Sequence, residues 1–115
     1  MHELSIASAV LDAVRAEGAR YPGTCPAKVG IRVGALAGVD PDALSFCFES
    51  LLRGTKWERL RLEIETCPRR HRCRSCGDTF DVADYDATCP VCRTMQPDCI
   101  GGDELELAYL EVDEL

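Results

Sequence analysis

The stretch CRSCGDTFDVADYDATCPVC, residues 73–92, decides how the middle of this chain folds. It holds two Cys-x2-Cys pairs separated by twelve residues: Cys73 with Cys76, and Cys89 with Cys92. The short spacing lets the backbone turn so that both sulfurs of a pair point inward, and four thiolates can then surround a tetrahedral ion at about 2.3 Å. Four sulfur ligands with no open position indicate structural Zn²⁺, although an iron site can use the same ligands.

The residues around the two pairs, 67–102, show no apolar periodicity long enough for a core. Binding a metal supplies on the order of 10 kcal/mol in small zinc modules, so we expect the ion to replace that core. Eight cysteines in 115 residues would suggest disulfides in a secreted chain. This chain opens without a signal-peptide pattern, and the cysteines are therefore predicted to be metal ligands or free thiols.

The other candidate ligands of this region have plainer interpretations. Cys47 falls on an apolar helix face and is predicted to be a core residue. Cys25 and Cys67 lie beside prolines, in predicted turns. Cys99 follows Cys92 by seven residues and stays open as a substitute ligand, while His71 is expected to lie in a solvated loop, with a metal-responsive role as the alternative.

Regular patterns flank the cysteine segment on both sides. Leu4, Ala7, Leu11 and Val14 recur at helical spacing and predict a first helix over 5–16. Alternation predicts strands over 29–33 and 59–65 and a further strand from 105, with a bulge near Ala108. Asp40 as cap, Pro41 at the first position and Gly54 at the end predict a second helix over 41–53.

These elements predict an α+β fold in which two helices pack on one face of a three-stranded sheet. A zinc-ribbon-like module with four cysteine ligands is inserted between the second and third strands. The predicted domains are residues 1–66, completed by the C-terminal strand 103–115, and the zinc-binding module 67–102. A strand–helix–strand crossover would make the first two strands parallel if they share a sheet.

Charge and hydropathy exclude several function classes. The net charge is −7, and residues 100–115 carry six acids and no base, so the chain lacks the basic footprint of a nucleic-acid-binding protein. The arginine-rich PRRHRCR, residues 68–74, nevertheless keeps a nucleic-acid-binding zinc ribbon as an alternative, and a docking adaptor as another. No run approaches the roughly 18 apolar residues of a membrane helix, so the sequence predicts a cytoplasmic protein without membrane contact.

The amino end, MHE, raises a second metal question. The amino nitrogen of Met1, a deprotonated amide nitrogen and the imidazole of His2 can form short chelate rings, and Glu3 can complete the shell. Such nitrogen-rich, nearly planar coordination suits Ni²⁺ or Cu²⁺. Alone the pattern is weak, since any protein can begin with Met-His.

The order and spacing of all these parts resemble one family. Met1-His2-Glu3 before an amphipathic helix, IRVGALAGVDPDALSFCFESL at 31–51, the two Cys-x2-Cys pairs and GGDELEL at 101–107 are similar to the HypA/HybF family of hydrogenase nickel-incorporation proteins. The resemblance covers nearly the whole chain. One departure is visible, because Cys92 is followed by RTMQPDC where the family has small residues such as Gly and Ser.

The resemblance implies a nickel metallochaperone, not an enzyme, that helps load Ni²⁺ into the [NiFe] hydrogenase large subunit. It implies a HypB-family GTPase as partner and leaves open a homodimer and a urease client. His2 would ligate nickel with the Met1 amino nitrogen and Glu3, and Asp40 is a further candidate that is equally explained as a helix cap. Cys73, Cys76, Cys89 and Cys92 would hold structural Zn²⁺, while Ni²⁺ would be the transferable metal.

Overall fold

The computed structural model describes residues 2–83 and 86–115. Two helices and six strands follow one another along these residues, and the strands form two three-stranded sheets with the orders β2-β1-β6 and β4-β3-β5. The elements are α1 (Glu3–Gly18), β1 (Thr24–Gly34), α2 (Pro41–Leu52), β2 (Arg61–Cys67), β3 (Arg69–Cys73), β4 (Thr79–Val82), β5 (Pro97–Gly101) and β6 (Leu105–Glu114). The predicted α+β class, with two helices and a four-cysteine module, is confirmed.

The chain divides into two compact units. The first contains the chain up to Arg32, Val39–Glu65 and Glu106–Leu115, and the second contains Val33–Gly38 and Thr66–Leu105. The predicted domain boundaries at 66 and 102 stay a prediction. None of the helices in the described ranges is long and apolar enough to cross a membrane.

Local chemistry explains where α2 begins and ends. The Asp40 carboxylate accepts hydrogen bonds from the backbone N–H groups of Asp42 and Ala43, at 3.0 and 3.5 Å, and so satisfies two donors that the helix itself leaves free. Pro41 occupies the first turn, where its missing N–H costs nothing. Gly54 follows the helix with a φ of +77°, a conformation that glycine adopts without strain.

The core of the first unit lies where the two helices pack together beside β1. Its buried side chains come from one stripe of each helix and from the inward face of β1: Ile6, Ala7, Leu11, Val14, Val29, Ile31, Leu44, Phe48 and Leu52. Leu4, which the helical spacing places on the same stripe as Leu11, is 47% exposed. Leu4 lies on the face of Leu11 but in the first turn of α1, where the helix end leaves it uncovered.

The face of the first sheet opposite its buried side chains carries polar residues, and at one position of β1 it has room only for glycine. Arg32 of β1 pairs with Glu106 of β6 at 3.2 Å. On the same face of β1, a Cβ added to Gly30 would collide with the ring of Tyr109, so only glycine leaves room for that ring. Glu106 and Tyr109 are three residues apart and yet share a face, so the alternation of β6 is interrupted between them, where the sequence predicts a bulge.

The second unit is built around β3, which pairs antiparallel with β4 on one side and β5 on the other. A small apolar cluster consists of Cys73, Phe80, Val82 and Cys89. The expectation that the module would lack a core is therefore wrong. Among the described residues, the cluster buries two apolar side chains besides the cysteines, and Ala87 packs against them, which is too few to produce a periodic pattern in the sequence.

His71 corrects a second expectation, since it is a buried strand residue and not a loop residue. It lies in β3, is 8% exposed, and its ring stacks on Phe80 with centroids 6.1 Å apart. The alternation of β3 explains this burial, because His71 and Cys73 face inward between exposed arginines. Neither ring nitrogen of His71 has a hydrogen-bond partner within the described part of the chain.

Candidate metal centres

Four sulfurs converge in the second unit. The Sγ atoms of Cys73, Cys76, Cys89 and Cys92 all lie within 4.8 Å of one another. Cys73 and Cys92 are 3.5 Å apart, and Cys76 and Cys89 are 3.6 Å apart. Sulfurs at the corners of a tetrahedron about 2.3 Å from a central zinc ion stand roughly 3.8 Å apart, so the four residues fit a tetrahedral metal.

The first Cys-x2-Cys pair is shaped by two backbone hydrogen bonds. The N–H of Cys73 donates to the carbonyl of Asp78, and the N–H of Gly77 donates back to the carbonyl of Cys73, both at 2.8 Å. Gly77 has a φ of +80°, which closes the turn directly after Cys76. The turn therefore directs both sulfurs to the same side, with glycine where the backbone is left-handed.

The second pair repeats this turn with one difference. The N–H of Cys89 donates to the carbonyl of Thr94 at 2.9 Å, and the N–H of Arg93 donates to the carbonyl of Cys89 at 3.0 Å. Arg93 thus holds the place that Gly77 holds in the first turn. Its φ is +66°, and it is the non-glycine residue with positive φ among the described residues. The departure noted after Cys92 is therefore a site of backbone strain.

Thr94 is a functional residue that the sequence interpretation missed. Its Oγ1 lies 3.0 Å from the sulfur of Cys92 and 3.4 Å from that of Cys73. The hydrogen bond from the Thr94 hydroxyl is the largest of several that together lower the pKa of Cys73 to about 6, and it also lowers the pKa of Cys92, because it stabilises the ionised sulfur. The Cys-x-Thr spacing after the second pair, which matches the position of Asp78 after the first, was the available signal.

Cys76 shows the opposite shift. A backbone hydrogen bond from Asp78 lowers its pKa, but desolvation and the neighbouring thiols outweigh this effect and raise the pKa to about 12. Crowded thiols resist ionising together, since each thiolate repels the next. A bound cation removes that repulsion, and the cluster is therefore built to be completed by a positive ion.

The other metal candidates of this unit do not join the cluster. Among residues 2–83 and 86–115, the four cysteines are the group of three or more ligand side chains close enough to share an ion. Cys99 is exposed, and its thiol contacts the carbonyl of Gly101 at 3.4 Å. In the first unit, Cys47 is half-buried on α2 and lies beside the buried core residues of this helix rather than among them, so it is not the core residue that the sequence predicts.

The amino end presents a different set of groups. His2 precedes α1, is exposed and makes no capping hydrogen bond with its side chain. The Glu3 carboxylate accepts the backbone N–H of Asp40 at 3.1 Å, so the structure brings Glu3 and Asp40 together. Asp40 also caps α2, as predicted. Met1, the fourth predicted contributor, lies outside the described residues.

The arginine-rich segment that supports a nucleic-acid interpretation is partly neutralised. Arg70 pairs with Asp81 of β4, and Arg74 pairs with Asp98 just inside β5, both at 2.6 Å. Two of its four cations therefore already have anionic partners on neighbouring strands. This arrangement disfavours phosphate binding, which needs cations free to exchange counterions.

Comparison with known proteins identifies the family. Residues 1–112 match the profile described as HypA, a hydrogenase/urease nickel incorporation metallochaperone. The chain belongs to the HypA family. A hydrogenase maturation factor HypA from Desulfitobacterium hafniense is 38% identical over 114 residues, covering 99% of this chain and 100% of the relative. HypA from Chlorobaculum parvum is 39% identical over 115 residues, covering 98% and 100%.

Solved HypA structures share the fold. The solution structure of the Ni metallochaperone HypA from Helicobacter pylori aligns with a TM-score of 0.63 at 20% identity, over 96% of this chain and 97% of that one. A second solution structure of a HypA protein aligns with a TM-score of 0.69 at 20% identity, over 96% and 95%. The predicted family resemblance is thus confirmed, and the fold agrees with that of known HypA proteins.

Proposed function

We propose that this protein binds Ni²⁺ at its amino end, with His2 as the decisive ligand, and delivers it in the cytoplasm to the large subunit of [NiFe] hydrogenase. The match to a nickel-incorporation family over residues 1–112 supports the cargo and the process. The observation that carries the site is the exposed His2, which stands directly before α1 with a side chain that caps nothing.

The start of a helix suits nickel coordination by backbone nitrogens. The first N–H groups of α1 have no intrahelical acceptor, so the Glu3 amide can lose its proton to a metal without breaking a helix hydrogen bond. The positive end of the helix dipole favours the resulting anionic nitrogen. His2 is extended rather than helical, with a φ of −101° and ψ of 166°.

Glu3 and Asp40 have supporting roles in this proposal. The Glu3 carboxylate ties the first turn of α1 to the backbone of Asp40, which holds the amino end beside the start of α2. Two carboxylates near a cationic site raise its affinity through charge, while the exposed position lets the metal leave. The amino nitrogen of Met1 completes the proposed ligand set with His2 and the Glu3 amide.

The four cysteines of the second unit would hold Zn²⁺ as a structural ion. When bound, zinc supplies charge that keeps four crowded thiolates ionised and replaces a larger apolar core. Thr94 orients two of these sulfurs through its hydroxyl. The closed set of four sulfurs offers no open position for a substrate, so we propose that the protein is a carrier and not an enzyme.

Transfer in this proposal uses two partners: a HypB-family GTPase and the hydrogenase large subunit. Among the relatives, those from Desulfitobacterium hafniense and Chlorobaculum parvum carry the name hydrogenase maturation factor, which favours a hydrogenase client. The family description also names urease, and a transfer assay with each apo-enzyme separates the two clients.

The test is a Ni²⁺ titration of untagged protein with its zinc content measured in parallel. We expect His2→Ala to lose the bound Ni²⁺ and keep one zinc per chain. A chain extended by Gly-Ser before Met1 keeps the imidazole but breaks the chelate, and it should lose nickel equally. Because amine, amide and imidazole must all release protons, nickel affinity should rise from pH 6 to pH 8.

Two matched controls separate the ligands. Glu3→Gln preserves an acceptor for the Asp40 N–H, and Asp40→Asn preserves the helix cap, so both should fold and bind nickel several-fold more weakly at most. Unchanged nickel affinity in His2→Ala would overturn the assignment of His2.

A further inference from the structure

An apolar groove runs between α1 and β6 in the first unit. It measures about 530 Å³ and is lined by Ala13, Glu17, Tyr21, Leu107, Tyr109, Leu110 and Val112, a set called here the β6 groove. Tyr21 is 49% exposed, Leu107 39% and Val112 37%. Large apolar side chains that share one concave surface and remain this exposed are typical of an interaction site rather than of scattered surface residues.

The groove borders an open sheet edge. In the order β2-β1-β6, the strand β6 has β1 as its neighbour on one side and no described strand on the other. Its outer edge therefore presents backbone N–H and C=O groups that can pair with a further strand. Such a strand would lie about 4.8 Å from β6, which brings its side chains on the helix side into the groove.

The length of β6 and its exposed apolar side chains argue against a strand that is merely protected from aggregation. A protected edge is normally short, interrupted by proline or lined with charged side chains, above all lysine. The acids of β6 provide charge, but the other protecting features are absent from this strand. Here β6 runs for ten residues, contains neither proline nor lysine, and exposes Leu107 and Val112 along the groove. The stretch from Leu107 to Val112 spans about 20 Å, enough for three inward side chains of an added strand.

The charge of β6 indicates which kind of strand can pair with its open edge. The strand β6 carries Glu106, Glu111, Asp113 and Glu114 with no basic residue. Glu106 pairs with Arg32 of β1, and Glu17 in the groove wall pairs with Arg20, so the charge argument is carried by Glu111, Asp113 and Glu114. A second copy of the same chain, pairing β6 with β6, would place these acids opposite one another, which is destabilising. A basic strand would instead meet an acidic rim.

We propose that β6 accepts an extended segment of another protein as a fourth strand, with apolar residues entering the β6 groove and lysines or arginines facing its acidic rim. This surface is distinct from both metal sites, and the proposal does not depend on nickel binding. Main-chain pairing supplies affinity in this mode, while alternate side chains supply selectivity.

The test uses three fluorescein-labelled peptides and the zinc-loaded full-length protein. The probe KVKVKVK alternates valine with lysine, EVEVEVE reverses the charge, and KPKVKPK keeps cations but removes two backbone donors. Fluorescence anisotropy should show KVKVKVK binding at least tenfold more tightly than either of the others. Equal binding of KPKVKPK would overturn strand addition, and equal binding of EVEVEVE would overturn the basic partner.

Two variants locate the site. L107N with V112N removes apolar contacts from the groove and should weaken KVKVKVK at least tenfold, with helix content and zinc content unchanged. F46N is the matched control, because Phe46 is 67% exposed on α2 and does not line the groove. Equal losses in both variants would overturn the site. Sedimentation velocity should show a monomer, and a dimer abolished by L107N/V112N would make a second copy the occupant and overturn the proposal.

Discussion

Replacing Arg93 with glycine is expected to strengthen zinc binding about two- to fivefold. Arg93 closes the second Cys-x2-Cys turn with a φ of +66°, and Gly77 closes the first with a φ of +80°. The two positions make the same backbone hydrogen bond to the first cysteine of their pair, at 3.0 and 2.8 Å. The turns are therefore alike, and only one has the residue that suits its conformation.

The magnitude follows from two opposing effects. A left-handed conformation costs a non-glycine residue about 1–2 kcal/mol. Glycine is freer in the unfolded chain, and ordering it costs roughly 0.5–1 kcal/mol more than ordering another residue. The net gain from R93G is about 0.5–1 kcal/mol, and since 1.4 kcal/mol is a factor of about ten, zinc affinity rises about two- to fivefold. Zinc affinity reports this change because binding and folding of a small zinc module are coupled.

The assay is competition for zinc against a chromophoric chelator at fixed pH. By the same reasoning G77A should weaken zinc binding about two- to fivefold. S75G is the matched control, since Ser75 is exposed and lacks a positive φ, so glycine there should only weaken binding slightly. Weaker binding in R93G, or no loss in G77A, would refute the argument from backbone strain.

Two further predictions concern single hydrogen-bonded groups. T94V keeps the shape of Thr94 but removes the hydroxyl that contacts two cluster sulfurs, so zinc affinity should fall about ten- to a hundredfold in the chelator assay; unchanged affinity would show that the hydroxyl is dispensable. E63Q tests pH dependence. The hydrogen bond from Lys28 holds the pKa of Glu63 below its usual 4.5. The stabilisation that ionised Glu63 contributes is therefore present above pH 4.5 and is lost as the pH falls through the pKa of Glu63 in the folded protein. The stability difference between E63Q and the parent chain, measured by denaturant titration, should therefore be present at pH 7 and shrink below pH 4.5, and a constant difference would contradict this.

The four-cysteine module shows how much of a site can be predicted from the spacing of residues in the sequence. The Cys-x2-Cys spacing alone selected Cys73, Cys76, Cys89 and Cys92, and the structure brings these sulfurs within 4.8 Å of one another. Spacing predicts this well because each pair is a local turn whose geometry depends on a few consecutive residues. Thr94 lay in the same turn, but a hydroxyl has many roles in loops and its contact was visible only in three dimensions.

The helices were predictable for a related reason, and their limits were not. Asp40, Pro41 and Gly54 mark the ends of α2 because capping is a contact between near neighbours in sequence. Leu4 is exposed although it lies on the apolar stripe, because periodicity gives the direction of a side chain and not whether anything covers it. Whether a helix side chain is covered depends on residues far along the chain that pack against it.

The sequence by itself determined the two helices, the strands of the first sheet, the four sulfur ligands and the family, because turns, caps and periodic faces are set by residues close together in the chain. It did not predict β3, β4 and β5, which are too short and too polar to give a periodic apolar pattern. Only the tertiary structure decided that His71 is buried against Phe80, that Glu3 meets Asp40, and that Tyr109 covers Gly30. It alone also revealed the β6 groove and its open edge. Each of these contacts joins different helices or strands, and packing rather than local propensity selects such pairs.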